Sequence, residues 1–144
     1  MITSFSSQDE IQPTTAGIAG TSRLLIVEDD DLTRKFLTGF FGTMGYAVSV
    51  AATAEQALRI ADEVNPGLVL TDFQLPGMDG IGMVRSLKSA GHRVPFILIS
   101  GFLTEEVEME AKDAGIALVL RKPLELSMLQ DSVRSLLPIP GSPA

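Results

Sequence analysis

The sequence predicts an α/β protein: a single doubly wound, five-stranded parallel sheet flanked by five helices. Three observations carry that prediction. Short apolar runs alternate along the chain with segments whose apolar residues recur at helical spacing. The runs are continuously apolar, as expected of strands covered on both faces. Helix-capping threonines (Thr53, Thr104) and helix-ending glycines (Gly45, Gly115) stand at the junctions.

The elements follow in order. "RLLIV" (Arg23 to Val27) is the first strand. Leu32, Phe36, Leu37, Phe40, Phe41 and Met44 then recur at helical spacing, and Gly45 is placed to end that helix. "YAVSVA" is the second strand. Thr53 followed by Gln56 forms a capping box, with Ala54, Ala57, Leu58, Ala61 and Val64 facing the core. "GLVLT" is the third strand, and a helix from about Gly80 to Ala90 buries Ile81, Val84 and Leu87. "PFILIS" is the fourth strand; Thr104 caps a helix ending at Gly115. "ALVL" is the fifth strand, followed by a helix over about Leu126 to Leu137 carrying Leu126, Leu129, Val133, Leu136 and Leu137. Residues 1–21 read as a flexible tail, 22–137 as one domain, and 138–144 as a second tail or the start of a linker. Pattern alone does not give the strand order.

Composition narrows the function classes. With 144 residues the chain suits one domain with a real core. The net charge of −7 argues against DNA binding, and the absence of cysteine excludes thiolate metal sites and cysteine nucleophiles. The single histidine, His92, falls in a loop and is expected to be solvated. No run reaches the roughly 18 apolar residues of a membrane span. The N-terminus lacks the basic start and apolar stretch of a secretory signal, so a cytoplasmic protein is expected.

In open α/β sheets, ligands bind beyond the carboxyl ends of the strands. The first strand delivers Glu28, Asp29, Asp30 and Asp31 to that edge, the third Asp72, the fourth Ser100, and the fifth Arg121 and Lys122. The second delivers only Ala51 and Ala52. Taken singly, Asp72 is a turn former, Ser100 a satisfied hydroxyl, Lys122 a solvated cation, and one of Asp30 or Asp31 a helix cap. Four acids in a row exceed what a cap requires. If Glu28, Asp29 and Asp72 converge, like charges about 4 Å apart repel by roughly 4 kcal/mol per pair at an effective dielectric of 20. Lys122 and a divalent cation would neutralise such a trio. Oxygen-only ligands select Mg²⁺ or a similar hard ion, and the assembly suits a phosphoryl group.

"LLIVEDDDLTRKFL", "LVLTDFQLPGMDG", "VPFILISG" and "LVLRKPL", in this order and at these separations, resemble the receiver domain of two-component response regulators, over about Ser22 to Leu137. The resemblance implies a flavodoxin-like sheet of order 2-1-3-4-5. It implies that Asp72 is the phosphoacceptor, taking a phosphoryl group from a phosphohistidine on a sensor histidine kinase or histidine phosphotransfer protein. It further implies that Asp29 and Asp72 ligate Mg²⁺ directly, that Glu28 does so through water, and that the backbone carbonyl of Gln74 completes the protein ligands. Lys122 would pair with phosphoryl oxygens, Ser100 would move to bind one, and Lys122–Pro123 would be a cis peptide.

Three positions depart from the usual pattern: Glu28 stands for Asp, Ser100 for Thr, and Val119 for the Tyr or Phe that transmits the signal to the face of helix four, strand five and helix five. That face is also a candidate homodimer surface. Phe102 is a candidate gate or alternative switch, and equally a packing phenylalanine. With seven residues after Leu137, a stand-alone receiver acting through protein contacts is expected, not a conventional turnover enzyme; a receiver cut from a hybrid histidine kinase is the alternative. A Mg²⁺-dependent aspartyl phosphatase is remote, because no second acid lies two residues beyond Asp72.

Overall fold

The computed structural model describes residues 22–139. The sheet contains β1 (Arg23–Val27), β2 (Ala47–Ala51), β3 (Leu68–Asp72), β4 (Phe96–Ser100) and β5 (Leu118–Arg121). All neighbours are parallel, in the order β2-β1-β3-β4-β5, as the resemblance implied. The helices are α1 (Asp31–Thr43), α2 (Ala54–Val64), α3 (Gly80–Ser89), α4 (Glu105–Asp113) and α5 (Leu126–Leu136). The expected tails at residues 1–21 and 140–144 lie outside the described residues. Ile139, within them, is half-buried against the α1 and α5 side of the core.

Side chains alternate across a strand, so each apolar run feeds two cores. Leu24 and Ile26 pack with Leu37 and Phe41 of α1 and Leu129 and Val133 of α5. Leu25 and Val27 pack with the alanines of α2, with Ile81, Met83, Val84 and Leu87 of α3, and with Val107 of α4. Burying one such large side chain contributes about 1.5–3 kcal/mol, which is why strands of four or five residues suffice here. Tyr46 closes the first core: its ring meets Phe41 edge-on at 5.9 Å, and its hydroxyl donates to the Leu137 carbonyl at 2.7 Å.

The caps form as read. Thr53 Oγ1 accepts from Gln56 N at 3.0 Å, and the Gln56 side chain accepts from Ala52 N rather than from Thr53 N. Thr104 caps α4 through Val107 N. Gly45 follows α1 with φ +104°, a conformation that favours glycine.

Two apolar stripes are covered only in part, and one expectation about exposure, that for His92, is corrected. Leu32 and Phe36 are exposed, because helical spacing identifies a stripe but not how far the sheet covers it; only Leu37 and Phe41 of α1 are fully enclosed. Leu126 is exposed for the same reason at the start of α5. His92 does lie in a loop, yet its ring is mostly covered and sits 2.8 Å from the Asp62 carboxylate.

Candidate functional site

The sheet register builds the site. Val27 pairs with Thr71, Asp72 with Ile99 and Ser100 with Arg121, so the residues ending β1, β3, β4 and β5 form one edge. Backbone bonds carry the ladder one residue further: Glu28 N to Ala51 O at 3.0 Å, Phe73 N to Ile99 O at 2.8 Å, and Lys122 N to Ser100 O at 2.9 Å. Positions remote in sequence are thereby held at fixed separations by continuous hydrogen bonding.

Carboxylate oxygens of Glu28, Asp29 and Asp72 lie within 4.8 Å of one another. Lys122 Nζ donates to Asp72 Oδ2 at 3.2 Å. Glu28 and Asp72 are buried while Asp29 is exposed. Burial raises the pKa of Asp72, and the Lys122 ammonium partly offsets that rise. Burial likewise raises the pKa of Glu28, opposed by a backbone N–H from Asp30 at 3.0 Å and reinforced by the Asp72 charge. One lysine therefore does not neutralise the trio. The donor set is all oxygen and short of positive charge, so it fits a hard divalent cation.

The other acids separate by role. Asp30 caps α1, its carboxylate accepting from Thr33 N at 2.9 Å and Thr33 Oγ1 at 2.7 Å, and those bonds lower its pKa. Asp31 pairs with Arg34 in the first turn of α1. Ser100 is fully buried, and its Oγ accepts from Phe102 N at 3.1 Å. Phe102 is 64% exposed, which overturns core packing as the reason for its presence. Val119 is half-buried against the α2–α4 side of the core. Gln74 is exposed in the β3–α3 loop. Lys122–Pro123 is cis.

Sequence reading missed Gly80 as a site residue. A Cβ there would run into the Asp72 carbonyl oxygen and press on Leu98, and Gly80 N donates to Phe73 O at 2.8 Å. The aspartate–glycine pair at the start of α3 was the available signal: Asp79 caps the helix, and Gly80 permits its close approach to β3.

Residues 24–134 match the model of the response regulator receiver domain. The chain belongs to that family. This receiver domain is 32% identical over 117 residues to sporulation initiation phosphotransferase F of Bacillus subtilis, covering 81% of this chain and 94% of the relative. It is 32% identical over 108 residues to the regulatory protein AtoC of Escherichia coli, covering 75% of this chain but 23% of that longer protein. A chain of the CheX–CheY–BeF3–Mg²⁺ complex of Borrelia burgdorferi superimposes with a TM-score of 0.72 at 28% identity, covering 78% of this receiver and 87% of that chain. Receiver domains are signalling domains that typically bind Mg²⁺ and are phosphorylated, and they interact with histidine kinases or phosphotransfer proteins. Among the described residues, no helix is long and apolar enough to cross a membrane.

Proposed function

We propose that this receiver accepts a phosphoryl group on Asp72 from a phosphohistidine partner and signals through phosphorylation-dependent protein contacts. The observation that carries the reading is the Glu28–Asp29–Asp72 oxygen cluster with Lys122 bonded to Asp72. Glu28, Asp29 and Asp72, with the Gln74 carbonyl, would hold Mg²⁺. The bound ion would neutralise the clustered carboxylates and the incoming phosphoryl oxygens.

In the transfer, an Asp72 carboxylate oxygen attacks phosphorus. The bond from phosphorus to the donor's imidazole nitrogen breaks, its electron pair stays with that nitrogen, and an acyl phosphate forms on Asp72. Lys122, already hydrogen-bonded at Asp72, shifts to the phosphoryl oxygens, and the Ser100 hydroxyl donates to one of them. Asp72 ends each cycle regenerated by hydrolysis, so the domain is a signalling acceptor and not a conventional turnover enzyme.

The reading extends to a regulator working in the cytoplasm, where its phosphodonor would be, comparable in extent to the Bacillus relative of which 94% is covered. With valine at position 119, the exposed Phe102 in the β4–α4 loop is the candidate switch or gate. Exposed Met109 on α4 and Leu118 on β5 make the α4–β5–α5 face the candidate surface for an output protein or a second copy. Incubation with Mg²⁺ and a small acyl phosphate tests the core of this reading: intact mass should rise by one phosphoryl group, and Asp72→Asn should abolish the gain. Equal labelling of both proteins would remove Asp72 as the acceptor.

A further inference from the structure

Arg34 occupies the first turn of α1, where a positive charge opposes the helix dipole. Its side chain is only 19% exposed, so it is not a solvated surface arginine. The guanidinium turns back out of the helix. Nη1 donates to the Glu28 carbonyl at 2.9 Å and reaches the Asp29 carbonyl at 3.4 Å, while Nη2 pairs with the Asp31 carboxylate. These are the backbone carbonyls of the two acids that β1 delivers to the site. Within the same loop, Glu28 Oε2 accepts from Asp30 N at 3.0 Å. The β1–α1 loop is therefore held both by Arg34 and by its own Glu28–Asp30 bond, and a planar fork suits bridging neighbouring acceptors in a way that a single ammonium does not.

We infer that Arg34 is a positioning residue that fixes the Glu28–Asp29 backbone so that both carboxylates face Asp72 at metal-binding separation. The inference rests on the proposed Mg²⁺ site. Groups supporting metal ligands typically change affinity by about 10–100-fold when removed. Charge alone predicts the opposite sign, because deleting a cation from the loop that carries Glu28 and Asp29 should tighten Mg²⁺ binding. The direction of the change therefore separates positioning from electrostatics.

The test is Mg²⁺ titration by calorimetry on the full chain, comparing wild type, Arg34→Met and Arg34→Lys, with amide exchange at Asp30 followed without metal. Positioning predicts that both variants bind Mg²⁺ about ten-fold or more weakly and exchange the Asp30 amide faster. Unchanged or tighter binding in Arg34→Met, or wild-type behaviour in Arg34→Lys, would overturn it. Should Arg34→Met fail to fold, the charge-preserving Arg34→Lys decides alone. If wild type itself binds no Mg²⁺, the proposed metal site fails; the Asp30 exchange then still reports whether Arg34 holds the loop, and unchanged exchange would overturn the clamp as well.

Discussion

The backbone carbonyl of Asp72 occupies the space that a side chain at Gly80 would need. The start of α3 is thus pressed against the end of β3 at the residue proposed to take the phosphoryl group. Gly80→Ala forces one of them to move. Overpacking of this kind costs about 1–3 kcal/mol. The expected outcome is a lowered chemical-denaturation midpoint together with slower acyl-phosphate labelling, both read on the same purified variant.

Lys122 offers a prediction with two opposite signs. Lys122→Met removes the ammonium bonded to Asp72, so phosphorylation should slow by about a hundred-fold, as when a single transition-state donor is lost. Mg²⁺ should bind the same variant more tightly, since one competing cation has gone. Labelling kinetics and calorimetry check the pair. A lysine serving only to stabilise the fold would move neither in this way.

The buried acids set a pH dependence. Burial holds the pKa values of Asp72 and Glu28 above the ordinary carboxylate range. A carboxyl with a raised folded-state pKa binds its proton more tightly when folded. Its contribution to stability is fully present below the unfolded value of about 4 and is lost as pH rises through the folded value. Without Mg²⁺, Asp72→Asn should therefore gain stability over wild type progressively as pH rises from about 4, reaching about 1 kcal/mol, the scale of a single substitution. Saturating Mg²⁺ should cancel the gain. Urea titrations across pH give the comparison.

Away from the site, Tyr46→Phe leaves the buried Leu137 carbonyl without its 2.7 Å donor. A loss of about 1–3 kcal/mol is expected from an acceptor left unsatisfied. Mg²⁺ affinity should stay unchanged, and denaturation with calorimetry reads both.

What the sequence made legible follows from what acts locally. Continuous runs such as Leu24 to Val27 mark strands because alternate side chains feed two cores, and Thr53 and Thr104 mark helix starts because a cap is a contact across three residues. The convergence of Glu28, Asp29, Asp72 and Lys122 was legible because strand ends in a parallel sheet share one edge. The exposure of Leu32 and Phe36 was not legible, because spacing reveals a face and not its coverage. His92 was misread because its partner, Asp62, lies 30 positions away on another element. Arg34 carried no signal: an arginine in a first helical turn looks like surface until the loop carbonyls it holds are in place.

The most direct measurement is to locate the label. After treatment with Mg²⁺ and a small acyl phosphate, borohydride reduction converts an aspartyl phosphate to homoserine, which peptide mass spectrometry assigns to a position. Homoserine at position 72, dependent on both reagents, is the predicted result. A label at another residue, or none at any, would contradict it.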